Sequence, residues 1–393
     1  MSRQKTSNEQ PELTHAMKEL MSELEVIADN PVVEAAYNDA IAHVKPFLWT
    51  GAPNPWVGRD IGYFVNYFRE WFTFLPEPDR GLGRIVPFTY FYYDNPRAFY
   101  FLNQLKSKSA GSTRHSKEIF NWTVKFIKVR GEFMDSPQSL QHIKEWEVDP
   151  ISEIDEYKVP KGGFKSFNEF FTREFRNPSK SRPVAEPDDD AVLVASADSE
   201  INFIESDLTL TKNIKVKTRE LNVCELLDKS EYAKHFKGGT AISCVLMPAN
   251  YHRYHSPVTG EIVESKDVPG IYNGIMDGED WFNSFNVGES TTDFSIFEDF
   301  HRAYFIIKTK GYGYVAVIPV GLNTISSISP SLVNNRSTYV PPGSEPVPIK
   351  KGDELGHFAY GGSLNILLFQ KGVLSSISVL VGQRLGRMSK VTS

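Results

Sequence analysis

Near Asp188 the spacing of apolar residues changes, and a chain that keeps two such periods needs two kinds of layer. Before it, Leu13, Met17, Leu20, Leu24 and Ile27 recur at three- and four-residue steps, the period of an amphipathic helix that stops at Asn30-Pro31. A second helix is predicted from Pro31, carrying Val32, Ala35, Ala36, Ala40 and Val44, because proline suits a first helical turn. Further helical periods cover Ile61–Phe74 and Ile119–Ile127. After it, Ala191–Ala195, Ile242–Leu246, Tyr314–Ile318 and Leu364–Phe369 are short apolar or β-branched runs bounded by Gly, Pro and Asp, which predicts strands. The expected class is α+β, with a helical, aromatic-rich domain over 1–155 and a β-rich domain over 156–393. Ser166 is the predicted cap of a short helix, with Glu169 three residues on.

Between Phe47 and Phe101 stand 18 aromatic residues. Helix core is the first reading; a wall over an aromatic or acyl ligand is the second. Charge narrows the partners: 43 Lys and Arg against 49 Asp and Glu leave −6. With no long basic stripe, nucleic-acid binding is not expected. Cys224 and Cys244 are the only cysteines, too few for a disulfide framework and without zinc-site spacing, which suggests a reducing compartment. The first ten residues are polar and read as no secretory signal, so the expected location is cytoplasmic. The charge-free stretch Gly311–Asn335 is broken by Gly313, Pro319, Gly321 and Pro330, so no transmembrane segment is predicted.

Three segments invite a chemical reading. His252 and His255 sit three residues apart between a buried strand and a Pro/Gly turn; a metal would need further ligands at a spacing the sequence does not offer, so no metal is expected. Gly361-Gly362-Ser363 opens an apolar strand, and a turn accounts for the glycines but not for a hydroxyl directly after an unhindered glycine carbonyl. The Gly-x-Ser-x-Gly elbow of serine hydrolases is absent. Asp198 lies in the turn after a buried run and reads on its own as an Asx-turn; Asp188-Asp189-Asp190 reads as a solvated loop. An acid, a histidine and a serine from separate segments are the ingredients of an activated hydroxyl, with their proximity the step to be established.

Read in order, these segments resemble the phosphatidylserine decarboxylases and their soluble amino-acid-decarboxylating relatives. The similarity rests on Ser166–Arg173 with Arg182-Pro183, Ser196-Ala197-Asp198, Tyr251–Gly260, Lys351–Phe358 with Gly361-Gly362-Ser363, and Val381–Gly386. It covers roughly residues 160 to 390. The resemblance implies that Asp198 and His255 activate Ser363 to attack the Gly362 carbonyl, so that an ester forms and elimination cuts the chain between 362 and 363. The two fragments stay together, and Ser363 becomes a covalent pyruvoyl group that condenses with a substrate amine and draws in the electrons released with carbon dioxide. His252 is the candidate to protonate the product carbon or to position the carboxylate.

Ser199 after Asp198, Leu364 after Ser363, and Ser326-Ser327 depart from the family pattern and leave the substrate open. Asn30-Pro31-Val32-Val33 and Val268–Tyr272 resemble, more loosely, the fungal L-tryptophan decarboxylase branch. With no apolar segment to reach a bilayer, the expectation is a free L-amino acid, aromatic ones included, as the small-molecule amine. Phosphatidylserine is the alternative, and a non-catalytic interaction module is the reading from another class. A homo-oligomer is compatible with the sequence.

Overall fold

The computed structural model describes residues 11–48, 51–78, 83–92, 95, 97–98, 114–210, 222–270, 300–322, 328–359, 362–383 and 386. Among the described residues the first helices are α1 His15–Ala28, α2 Pro31–Ala42, α3 Ile61–Phe72, α4 Ile85–Tyr92, α5 Arg114–Met134 and α6 Ile143–Val148. Their ends follow the capping chemistry in the sequence. The Thr14 hydroxyl accepts from Met17 N, the Asn30 side chain from Val32 N, and the Asp60 carboxylate from Tyr63 N. A seventh helix, α7 (Phe167–Phe171), is capped by Ser166, whose hydroxyl accepts from Glu169 N at 3.1 Å.

The aromatic residues are core. Trp56 stacks on Phe91 at 4.7 Å, Phe68 on Trp71 at 5.6 Å, and Trp122 on Phe126 at 5.4 Å, all buried. The same apolar cluster takes in Phe164, Phe167, Phe170 and Phe171, together with Ala249 from the β-rich part. Arg130 is buried there as a polar pin, donating to the carbonyls of Trp71, Phe72 and Phe74 at 2.8–3.0 Å. Trp71 and Phe72 close the last turn of α3 and Phe74 lies just beyond it, so a buried cation adds a partner to the acceptors at this helix C-terminus.

The second half is sheet, so the class is α+β. The strands are β1 Glu200–Ser206, β2 Thr240–Leu246, β3 Arg253–His255, β4 Gly260–Val268, β5 Arg302–Lys308, β6 Tyr314–Leu322, β7 Ile328–Pro330, β8 Leu332–Val333, β9 Arg336–Ser337, β10 Val347–Ile349, β11 Glu354–Phe358 and β12 Gly362–Phe369. Seven form one antiparallel sheet in the order β1-β2-β12-β6-β5-β4-β10, and β3-β11-β7 form a second. Both faces of the large sheet are covered. Leu364, Ile366 and Leu368 enter one core, while Leu367 and Phe369 enter the other with Tyr254, Leu355 and Phe358 of the small sheet.

One expected strand does not form. Ala191–Ala195 runs as turn and irregular chain. Backbone groups in it bond outside any ladder: the Lys351 ammonium binds the carbonyls of Val192 and, just before the run, Asp189, and Val194 N donates to Pro257 O. A β-rich composition cannot override a backbone whose partners lie outside a ladder.

Candidate active site

Strand register gathers the segments singled out above at one end of the large sheet. Glu200 pairs with Val245, Ser363 with both Leu246 and Gly321, and Gly362 with Leu322. The Asp198 turn therefore leads into this end, and residues 247–252 lead out of it. Ser363 is the second residue of the interior strand β12, 1% exposed, and its hydroxyl makes no hydrogen bond. Two residues on, on the same face, the fully buried Asn365 makes none through either amide atom. Buried polar atoms of this kind are uncommon, and each needs a reason.

Asp198 and His255 line one cleft of about 830 Å³, with Arg182, Tyr251, Glu174 and Glu354. Ser363 and His252 do not line it. Asp198 is gripped by Arg182, whose Nε lies 3.0 Å from both carboxylate oxygens and whose Nη2 lies 2.8 Å from Oδ2. The same guanidinium reaches Glu156 and Glu153 and sits over the Phe175 ring at 4.9 Å. The hydrogen-bonded Asp198 carboxylate, above all, keeps Arg182 firmly charged.

His255 is oriented by other groups. Its Nδ1 lies 2.8 Å from the Gly352 carbonyl, which can only accept, so Nδ1 carries a proton. In the neutral ring Nε2 then holds the lone pair, and the Tyr251 hydroxyl donates to it at 3.2 Å. Burial, with Glu354 second, raises the Tyr251 phenol and keeps it a donor. Tyr251 is seated against Phe175 and Tyr157, a small apolar cluster under the cleft.

His252 faces a different environment. It is fully buried, stacked on Phe171 at 3.6 Å, and neither ring nitrogen makes a hydrogen bond of normal geometry. Burial drives its pKa well below the ordinary imidazole value, and the nearby Arg173 cation lowers it further. A ring held neutral still has one N–H to give. His357, whose strand neighbour Phe358 donates its backbone N–H to His252 O, is also lowered by burial, with Arg253 second.

Of the four expected site residues, the structure thus places Asp198 and His255 in one cleft and buries Ser363 and His252. No role was expected from sequence for Arg182, Tyr251 or the Gly352 carbonyl. Arg182 stood in a quoted motif, but nothing local announced its partner, and a backbone acceptor leaves no trace in residue types. Among the described residues, no group of three His, Cys, Asp or Glu side chains could hold a metal ion. No helix among them is long and apolar enough to cross a membrane.

A family model described as phosphatidylserine decarboxylase matches residues 167–390. A phosphatidylserine decarboxylase proenzyme of Fusobacterium nucleatum subsp. nucleatum is 32% identical over 241 residues, which is 61% of this chain and 72% of that protein. One from Clostridium perfringens is 30% identical over 282 residues, 70% of this chain and 85% of its own length. Proenzyme 3 of Schizosaccharomyces pombe is 32% identical over 246 residues but only 23% of it is covered. These relatives lend no support to the narrower likeness to fungal L-tryptophan decarboxylase. With a family model over more than half its length and bacterial relatives matched over most of theirs, the chain belongs to the phosphatidylserine decarboxylase family and is a carboxy-lyase.

Proposed function

We propose that this protein cuts itself between Gly362 and Ser363, gains a pyruvoyl group at position 363, and removes carbon dioxide from the serine headgroup of phosphatidylserine. The observation that carries the reading is the Ser363 hydroxyl, buried without a hydrogen bond directly after a glycine carbonyl. A serine kept for solubility would face water, and one kept for packing would be better replaced by alanine. The residue therefore suits conversion to a ketone. The catalytic unit in this reading is 156–393, preceded by the helical unit 1–155.

In the first step Ser363 Oγ bonds to the Gly362 carbonyl carbon and the peptide C–N bond breaks, leaving an ester and a free amine on residue 363. His255 Nε2, the lone-pair nitrogen, is the atom to take the hydroxyl proton, and Asp198 supplies fixed negative charge nearby. Elimination across Cα–Cβ of residue 363 then releases Gly362 as a carboxylate. Water replaces the amine nitrogen with oxygen, and ammonia leaves. The ketone supplies an electron sink for the substrate as its carboxylate departs. His252, neutral and dry, returns a proton to the substrate carbon.

The names of the relatives support the phospholipid over the free L-amino acid preferred from sequence, and that preference is reversed here. A non-catalytic interaction module finds no support. The free cysteines Cys224 and Cys244 support a reducing location, and the cytoplasm is retained as part of the proposal. The test has two arms. Denaturing gels should show fragments 1–362 and 363–393 from the parent and a single chain from Ser363→Ala. Carbon dioxide should be released from phosphatidylserine vesicles; release from a panel of free L-amino acids alone would overturn the substrate, and an uncut parent would overturn the chemistry.

A further inference from the structure

The end of the sheet that holds Ser363 also holds a polar constellation that none of the steps above uses. Ser363 pairs with Gly321, and Gly321 N donates to His301 O at 2.9 Å, so these three lie in one row across β12, β6 and β5. The next row runs through Asn365, paired with Pro319, and ends on Ala303, paired with Asp267 of β4. Directly opposed residues point to the same face, and Ala303, Phe305 and Leu367 lie in the core under that face. Between β12 and β5 lie only Gly321 in the first row and Pro319 in the second, a floor without a long side chain. The sides are polar, with Ser363 and Asn365 on β12 and His301 and Asp267 on β5 and β4. At about 4.8 Å per strand, β12 and the His301 strand β5 are roughly 10 Å apart, the span of a small polar molecule, and Asp267 on β4 lies about 5 Å further out.

Two observations mark this as more than sheet packing. Asn365 is 0% exposed with a wholly unbonded amide, which in a plain core would be better replaced by an apolar residue. His301 is buried and oriented from outside the floor, its Nε2 lying 2.8 Å from the Asp267 carboxylate. That carboxylate fixes the ring in the way a supporting acid fixes a working histidine.

We propose that Asn365 and His301, on either side of Gly321 and Pro319 of β6, form the subsite that receives the amino-acid headgroup of the substrate reacting at position 363. It rests on the decarboxylase reading above. An α-amino acid head presents both donors and acceptors. An amide supplies one of each, and an imidazole whose Nε2–H is committed to Asp267 is held in a single orientation. The same head occurs on a serine phospholipid and on a free L-amino acid, so substrate specificity is set here for either source.

The experiment uses Asn365→Leu, His301→Gln and Asp267→Asn in the full chain, the last at a half-exposed carboxylate. Self-cutting is read on gels, turnover as carbon dioxide from phosphatidylserine vesicles and from free L-amino acids. Binding is read by borohydride trapping and mass spectrometry of fragment 363–393 across a substrate series. Asn365→Leu should melt at or above the parent temperature, because the unbonded amide is gone, yet need at least tenfold more substrate for half-maximal trapping. His301→Gln should lose at least tenfold in kcat/KM and Asp267→Asn about threefold, with self-cutting intact. Parental trapping and turnover in Asn365→Leu, or in His301→Gln should Asn365→Leu fail to fold, overturns the subsite alone. A parent that neither cuts nor decarboxylates either source overturns the decarboxylase reading and the subsite with it.

Discussion

Replacing Arg182 with methionine keeps most of the side-chain volume over Phe175 and removes the cation shared by Asp198, Glu156 and Glu153. Two unit charges about 4 Å apart attract by about 4 kcal/mol at an effective dielectric of about 20. The Arg182 side chain is 38% exposed and that of Asp198 24%, so water and salt reduce the effect to about 1–2 kcal/mol. For a unit the size of 156–393 that corresponds to a fall in Tm of about 2–4 °C. Asp198, its fork of donors gone, would wander from the cleft, and a loss of about 1.4 kcal/mol in positioning slows self-cutting about tenfold. The assay is a gel time course of precursor against fragment, run beside thermal melts at low and high ionic strength. Arg182→Lys, with the charge but no planar fork, should fall between parent and Arg182→Met. Parental rate and melting temperature in Arg182→Met would refute the argument that this ion pair holds the acid, and a deficit that does not shrink with salt would refute its electrostatic origin.

Two other outcomes follow from the same geometry. The folded His252 ring stays neutral while the unfolded one protonates below about 6.5, so folding stability declines as pH falls through that value, by up to about 1.4 kcal/mol per pH unit. His252→Leu should remove that slope in urea titrations at pH 7.5 and 5.5; equal slopes in both proteins would contradict it. A methyl group on Gly356 would overlap the Tyr254 hydroxyl and the Ser329 carbonyl oxygen, so Gly356→Ala should destabilise by about 1–3 kcal/mol. A thermal melt indistinguishable from that of the parent would show that β11 shifts at no cost.

Where one residue type fixes a local outcome, the sequence was readable. Asn30-Pro31 separates α1 from α2, Ser166 caps α7, and three of the four expected runs lie in β2, β6 and β12. Ala191–Ala195 formed no strand because distant partners hold its backbone, Lys351 on the Val192 carbonyl 159 residues away and Pro257 O on Val194 N. The candidate site divides the same way. Its motif residues announced themselves by type and order, whereas the Arg182 clamp, the Gly352 carbonyl on His255 and the His301–Asp267 pair are products of register and loop path. A single residue type carries no information about which strand will lie beside it. The preference for a free amino acid rested on the lack of an apolar anchor, and absence of one device for reaching lipid does not determine the substrate.

Strand β12 is flanked on both sides, by β2 through seven paired positions and by β6 through eight. If the bond before Ser363 is severed as proposed, the short polypeptide that begins there is an interior plank rather than an appendage. It can leave only by parting the sheet down its centre, which is equivalent to unfolding the β-rich half. The mature protein should therefore behave as two chains in composition and as one in cooperativity. An excess of added peptide of the same sequence has no place to exchange into.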